Sequence, residues 1–210
     1  MNALVNRITP SITNMIRMDH SHVLALFHRY KPDVSTGRKR ALVTNACLAL
    51  EVHAELEEEI FYPALRSVMS EDPIFQKSEP EHAEMRRLIG DLRARATDGS
   101  AVGDLSYDDK FLELMRIVLH HVADEETTLL PMAERLLGND RLSQLGAQMT
   151  RRRVELIKPH AGEIAVTAAR SFPVGAAAGA ALLAAGAIAI GVAMKPKRRT
   201  GVQRYLRPWM

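Results

Sequence analysis

Two stretches of this chain repeat one phrase. His53-Ala54-Glu55-Leu56-Glu57-Glu58 is followed by Pro63, and His121-Val122-Ala123-Asp124-Glu125-Glu126 by Pro131, so each copy reads H-x-x-x-E-E-x-x-x-x-P. A His and a Glu four residues apart stack on one helix face, so each copy aims one imidazole and one carboxylate at the same place. A single copy is commonplace on a solvated helix. A repeat with Pro at the same offset demands a shared cause.

The neighbours decide which face each pair occupies. Leu42, Ala46, Ala49, Leu50, Ile60, Phe61 and Ala64 fall at three- and four-residue steps around His53 and Glu57; Leu114, Ile117, Val118, Thr128, Leu129 and Met132 do so around His121 and Glu125. Both pairs therefore lie on core-facing stripes. A carboxylate buried alone costs several kcal/mol or takes up a proton, so buried Glu is found paired, hydrogen-bonded or on a metal. Two buried His/Glu pairs ask for a cation.

At 210 residues the chain holds one well-cored domain and something further. Only 5% of residues are aromatic and no alternating strand pattern occurs, so the helix-period stripes predict an all-α fold. A first helix spans roughly 11–30, ending before Pro32, and a second runs roughly 36–69 through Pro63. Ser78, Pro80 and Glu81 read as the N-cap, first turn and capping box of a third helix. After a loop at 97–104, a fourth helix runs from about 106 to 137 and closes at Gly138-Asn139, and a fifth stretch, 141–158, stops at Pro159. Pro63 and Pro131 each remove a helical N–H and should kink their helices just beyond the His/Glu pairs. The order is that of an antiparallel up-down four-helix bundle with an appendix.

Each bundle helix then carries a histidine able to turn inward. His20 lies among Ile16, Val23, Leu24 and Phe27, and His82 beside Met85 and Ile89. Taken singly, either fits a hydrogen-bonded core histidine as well as a ligand. Together, His20, His53, Glu57, His82, His121 and Glu125 form a candidate metal site. Imidazole and carboxylate donors without thiolate suit iron, manganese or zinc. Cys47, the single cysteine, sits among small residues as a buried, inert thiol and excludes an intramolecular disulfide framework.

The string Asp19-His20, His53-x-x-x-Glu57-Glu58 with Tyr62-Pro63, Glu81-His82, and His121-x-x-x-Glu125-Glu126 with Pro131 resembles the hemerythrin-like HHE cation-binding family over about residues 11–137. That resemblance implies a non-haem di-iron centre inside the bundle. Glu57 and Glu125 would bridge two irons, with His20, His53, His82 and His121 as terminal ligands. One departure stands out. Oxygen-carrying hemerythrins use a fifth histidine, in a pair spaced i,i+4 on the third helix, whereas here Ser78 and Arg86 flank His82 at four residues. His22, His28, His120, Glu79 or water would have to fill that place. A binder or sensor of O2 or NO, a redox enzyme or iron donor in peroxide or NO stress and metal-centre repair, and a metal-stabilised structural bundle all remain open. The ferritin-like carboxylate proteins are marked by Glu-x-x-His at i,i+3, whereas the repeated pairs here are His-x-x-x-Glu at i,i+4.

Other residues have blander expectations. Glu55, Glu58 and Glu126 point away from the ligand face and read as solvated, with Glu58 or Glu126 able to orient a histidine. The run Arg151-Arg152-Arg153 reads as a solvated helix face, and no nucleic-acid motif accompanies it. The formal charge of +3 hides a division: residues 164–210 carry seven basic and no acidic side chains, leaving 21 basic against 25 acidic elsewhere. The expected parts are therefore a bundle at 11–137, a helical extension at 138–172, a hydrophobic helix at 173–194 and a basic tail at 195–210. Residues 174–194 carry no charge and are long enough to reach across a bilayer, although mostly Ala and Gly. Membrane association through this segment is expected, with Gly175-x-x-x-Gly179 allowing self-association. No signal peptide is evident, so the metal domain is expected in the cytoplasm.

Overall fold

Ser11 opens the first helix as its cap, its hydroxyl accepting the Asn14 N–H at 3.3 Å. The structure, a computed structural model, describes residues 10–69, 73–98 and 105–171. Helix α1 (Ile12–Arg29) buries Ile12, Met15, Ile16, His20, Val23, Leu26 and Phe27, an apolar stripe with one imidazole in its middle. A short turn leads into α2 (Thr36–Leu56), which packs back against α1. A π-helical turn (Glu57–Phe61) joins α2 to the short α3 (Tyr62–Arg66). Next come α4 (Pro73–Asp98) and α5 (Leu105–Asp124), packed against each other, with α4 also against α2. A second π-helical turn (Glu125–Leu129) passes into α6 (Leu130–Ile157). The protein is all-α, with no strand among the described residues, and its first four long segments form the bundle.

The two π turns stand where proline-induced kinks are expected. Pro63 and Pro131 lack an N–H, and a proline ring inside a regular helix also collides with the carbonyl four residues back. Here the backbone widens by one residue ahead of each proline. The Tyr62 N–H bonds to the Glu57 carbonyl and the Leu130 N–H to the Glu125 carbonyl, each five residues apart. The chain stays helical, and the residue at the start of each wide turn is the glutamate of the repeated phrase. Such bulges are a recurrent device at functional sites.

Two further expectations are corrected. The third helix starts at Pro73, not at Ser78, so Ser78 is a buried residue inside α4 and Pro80 lies within the helix. The chain past Pro159 also does not stop: a 3-10 turn (Lys158–His160) carries it into α7 (Ala161–Ser171), which lies against α2. Gly138 does interrupt helical geometry, at φ 67°, a left-handed conformation that glycine adopts without strain. From there the rest of α6 folds back along α1. Gly146 permits that closeness, since a Cβ there would overlap the Pro10 carbonyl oxygen.

The core is divided in two. One apolar cluster holds Phe27, Leu42, Leu50, Leu88, Leu92, Tyr107 and Phe111; the other holds Ile16, Leu56, Phe61, Leu65, Leu129, Leu145 and Met149. Between them each bundle helix changes from apolar to polar, at His20, His53, His82 and His121. Cys47 lies in the first cluster, where burial pushes its thiol up to about 12, so it is protonated and inert. The hydrophobic segment 174–194, with Gly175 and Gly179, lies outside the described residues. Among the described residues no helix is long and apolar enough to cross a membrane.

Candidate metal centre

The polar layer gathers all six residues singled out by the sequence. His20, His53, Glu57 and Glu125 bring ligand atoms within 4.8 Å of one another, and Glu57, His82 and His121 form a second such group. Glu57 belongs to both. All six are buried, Glu57 and His82 completely and Glu125 to 1% exposure. The Nε2 atoms face the middle: His20 Nε2 lies 3.2 Å from Glu125 Oε2, His53 Nε2 3.3 Å from Glu57 Oε2, and His82 Nε2 3.5 Å from the same oxygen. His121 Nε2 is 3.6 Å from Glu125 Oε2 and 3.2 Å from His82 Nε2.

Every imidazole turns its other nitrogen outward to an acid. His20 Nδ1 lies 2.9 Å from Glu126, His82 Nδ1 2.8 Å from Glu58, His121 Nδ1 3.1 Å from Glu81 and His53 Nδ1 3.6 Å from Asp19. A carboxylate on Nδ1–H fixes the tautomer and leaves Nε2 free as a donor to a metal. The four contacts form a closed ring. Asp19, beside His20, serves His53 on the next helix; Glu58, beside Glu57, serves His82; Glu81, beside His82, serves His121; and Glu126, beside Glu125, serves His20. Glu58 and Glu126, read from the sequence as solvated but able to orient a histidine, do face His82 and His20 while staying about a third exposed, at 31% and 35%. Asp19 and Glu81 escaped sequence reasoning as orienting acids, although each is the residue just before a candidate ligand.

The electrostatics describe a pocket built for positive charge. Burial alone would lower His121, but Glu125 and hydrogen bonds to Glu57 and Glu81 outweigh it and raise the imidazole to about 10. Burial would raise Glu125, but His121, His20 and His53 hold it near about 2. His53 is likewise raised despite burial, chiefly by Glu57 and then Asp19, whereas burial dominates at His82 and lowers it. Even so, hydrogen bonding leaves buried atoms over. His20 Nε2, both ring nitrogens of His53, Glu57 Oε1 and Glu125 Oε2 have no hydrogen-bond partner, Asp19 standing 3.6 Å from His53 Nδ1 as an ion-pair neighbour. Four of these five atoms, all but the outward His53 Nδ1, converge in one buried layer and fit a cation, because unpaired buried polar atoms are otherwise costly.

One functional residue was quoted in the sequence but given no role. Tyr62 is buried, and its hydroxyl donates to Glu57 Oε2 at 3.3 Å and Glu125 Oε1 at 3.0 Å. Its ring stacks on His82 at 5.8 Å between centroids. Ser78, one of the two places for a fifth histidine, hydrogen-bonds the Tyr62 hydroxyl, and Arg86, the other, pairs with Glu58 at 2.8 Å. The substitutes considered for that ligand lie elsewhere. His28 and His120 are exposed, Glu79 is exposed and paired with Arg66, and His22 lies near Asp19 and Arg153. An open pocket of about 300 Å³, lined by Glu58, Tyr62, Arg66, Glu79 and Arg86, reaches the outer side of this corner.

A helical bundle with a ring of imidazoles, one shared carboxylate and a set of orienting acids defines a cation-binding four-helix protein. The family model described as the hemerythrin HHE cation binding domain matches residues 11–133, and the chain belongs to that family. It is also 30% identical over 134 residues to a DNA nickase of Nostoc sp. (strain PCC 7120 / SAG 25.82 / UTEX 2576). That alignment covers 64% of this chain and 36% of the nickase, so the chain spans about a third of the curated relative it matches. No solved structure matches the chain.

Proposed function

We propose that the bundle holds a non-haem di-iron centre that binds or senses O2 or NO. The observation that carries this reading is the pair of donor groups sharing Glu57: four donor residues on one side, three on the other, from four helices. Both groups are imidazole and carboxylate only, donors that suit iron, with manganese and zinc as competitors. Iron there would supply one-electron chemistry and affinity for a diatomic ligand. The protein residues do the rest: the outward acids fix the imidazoles, Tyr62 donates to both glutamates, and the flanking apolar clusters exclude bulk water. The side with three donors is the place for ligand exchange. Its outer face meets the pocket at Tyr62 and Glu58, the route for a small ligand.

A second reading has one specific observation in its favour. Tyr62 places a protic hydroxyl against both carboxylates, an asset to a redox enzyme acting on peroxide or NO, or to an iron donor in metal-centre repair. The likeness to the nickase covers only 36% of that protein, so its activity is not carried over to this chain. The test is anaerobic loading with ferrous iron followed by titration with O2 or NO. A reversible, stoichiometric change in visible absorption supports binding or sensing. Catalytic loss of peroxide or NO that disappears in Glu125→Ala supports the enzyme, and zinc with no redox response contradicts both.

A further inference from the structure

The run Arg151-Arg152-Arg153 belongs to the part of α6 after Gly138, beyond the stretch matched by the family. Arg151 is exposed and Arg152 about a third exposed, as a solvated face requires, but Arg153 is largely buried. Arg153 grips Asp19 with two bonds, Nη1 to Oδ1 at 2.5 Å and Nη2 to Oδ2 at 2.6 Å, and both side chains are less than a fifth exposed. Arg152 holds Glu59, inside the π turn that begins at Glu57, through Nε at 2.6 Å and Nη2 at 2.7 Å. Asp19 is the acid facing His53 Nδ1. An element outside the bundle thus touches both ligand-bearing segments on one side of the centre.

We propose that α6 is a control element for the metal centre, with Arg153 as a positioning residue that sets His53 through Asp19. This rests on the metal-binding reading above. The two-pronged guanidinium leaves the Asp19 carboxylate one orientation, and that orientation holds its charge 3.6 Å from His53 Nδ1, favouring the ring state with Nδ1–H outward and Nε2 inward. If α6 undocks, Asp19 is free to turn to water and His53 loses its fixed tautomer, so iron is held less firmly. By thermodynamic reciprocity, iron must also tighten the docking of α6.

The test uses the full chain, loaded with ferrous iron, and three readouts: the rate of iron transfer to a ferrous chelator, the midpoint potential, and amide exchange over residues 139–157. Arg153→Gln should release iron about tenfold faster and shift the potential, and Asp19→Asn should do the same, with the double variant adding little. Arg153→Lys, which keeps charge but not the paired geometry, should fall between. Leu92→Ala serves as the control, because it weakens the far apolar cluster without touching the site; it should leave release and potential unchanged. Wild-type protein should protect residues 139–157 more with iron than without, and Arg153→Gln should lose the difference. If wild type takes up no iron, the metal-centre reading and the coupling fall together. If wild type loads but Arg153→Gln releases iron at the wild-type rate, or Leu92→Ala reproduces the effect, the coupling alone is overturned.

Discussion

In the first copy of the repeated phrase, the residue before the proline is Tyr62, whose hydroxyl lies on Glu57 and Glu125; in the second it is Leu130, buried in the apolar cluster beyond. In backbone and in the placing of their ligands the copies are alike. Each has a wide turn beginning at its glutamate, and each has a histidine whose outer nitrogen faces an acid from the preceding bundle helix. The comparison separates two layers of cause. The proline and the His/Glu spacing build a ligand-presenting turn twice. Tyr62 in place of Leu130 and Glu59 in place of Thr127, together with Glu57 joining both donor groups, make the two halves chemically unequal.

The sharpest way to break the comparison is to remove one glutamate at a time. Glu57→Ala strips a donor from both groups and should abolish metal retention, while Glu125→Ala, in one group only, should leave a reduced but measurable content by metal analysis. Equal losses would mean that the halves are equivalent after all.

Acidity tests the charge of the pocket as a whole. The raised His121 contributes stability to the metal-free fold that is complete below the ordinary imidazole value and is lost as pH rises through about 10. The lowered Glu125 contributes above the ordinary carboxylate value, and that stability is lost as pH falls towards about 2. A metal must displace the His121 proton. Its apparent affinity should therefore rise about tenfold per pH unit through the neutral range, with proton release seen by calorimetry in buffers of different ionisation enthalpy.

The wide turns are tested at their prolines. Pro63→Ala and Pro131→Ala each restore an N–H and remove a ring, so each should raise metal-free stability, by up to about 3 kcal/mol, if the turn tightens to regular helix. The same change would rotate Glu57 or Glu125 and lower metal content. Thermal melts and metal analysis on the same samples decide it, and a gain in stability with unchanged metal would show that the turns are not what aims the glutamates.

Tyr62→Phe is the mildest change. Losing one buried hydroxyl's bonds should cost about 1 kcal/mol in a denaturant titration. Metal content should hold, while the response to O2 or NO changes, because the inequality between the halves is chemical and not structural.

Much of this was legible in the sequence for a simple reason: helical periodicity is local. Spacing alone placed His20, His53, Glu57, His82, His121 and Glu125 on inward stripes, and the structure brings those six together. What periodicity could not give was anything decided between helices. Glu58 and Glu126 lie off the ligand face of their own helices, so their roles depend on where His82 and His20 stand in space. Ser78 has every local mark of an N-cap, yet the helix begins earlier and its hydroxyl is spent on Tyr62. Of the three arginines read as a solvated face, only Arg153 departs from it, because its partner Asp19 is 134 residues away in the chain. The prolines announced a disturbance correctly, but whether a helix breaks or widens depends on the packing around it.

The central claim is a cation held jointly by the two halves. The most direct measurement is the metal content of the full chain purified from iron-replete cells, set beside His53→Ala and His121→Ala. The account predicts about two irons per wild-type chain, with each variant losing metal while remaining helical by circular dichroism. Wild-type protein without metal, or variants that retain as much as wild type, would contradict it.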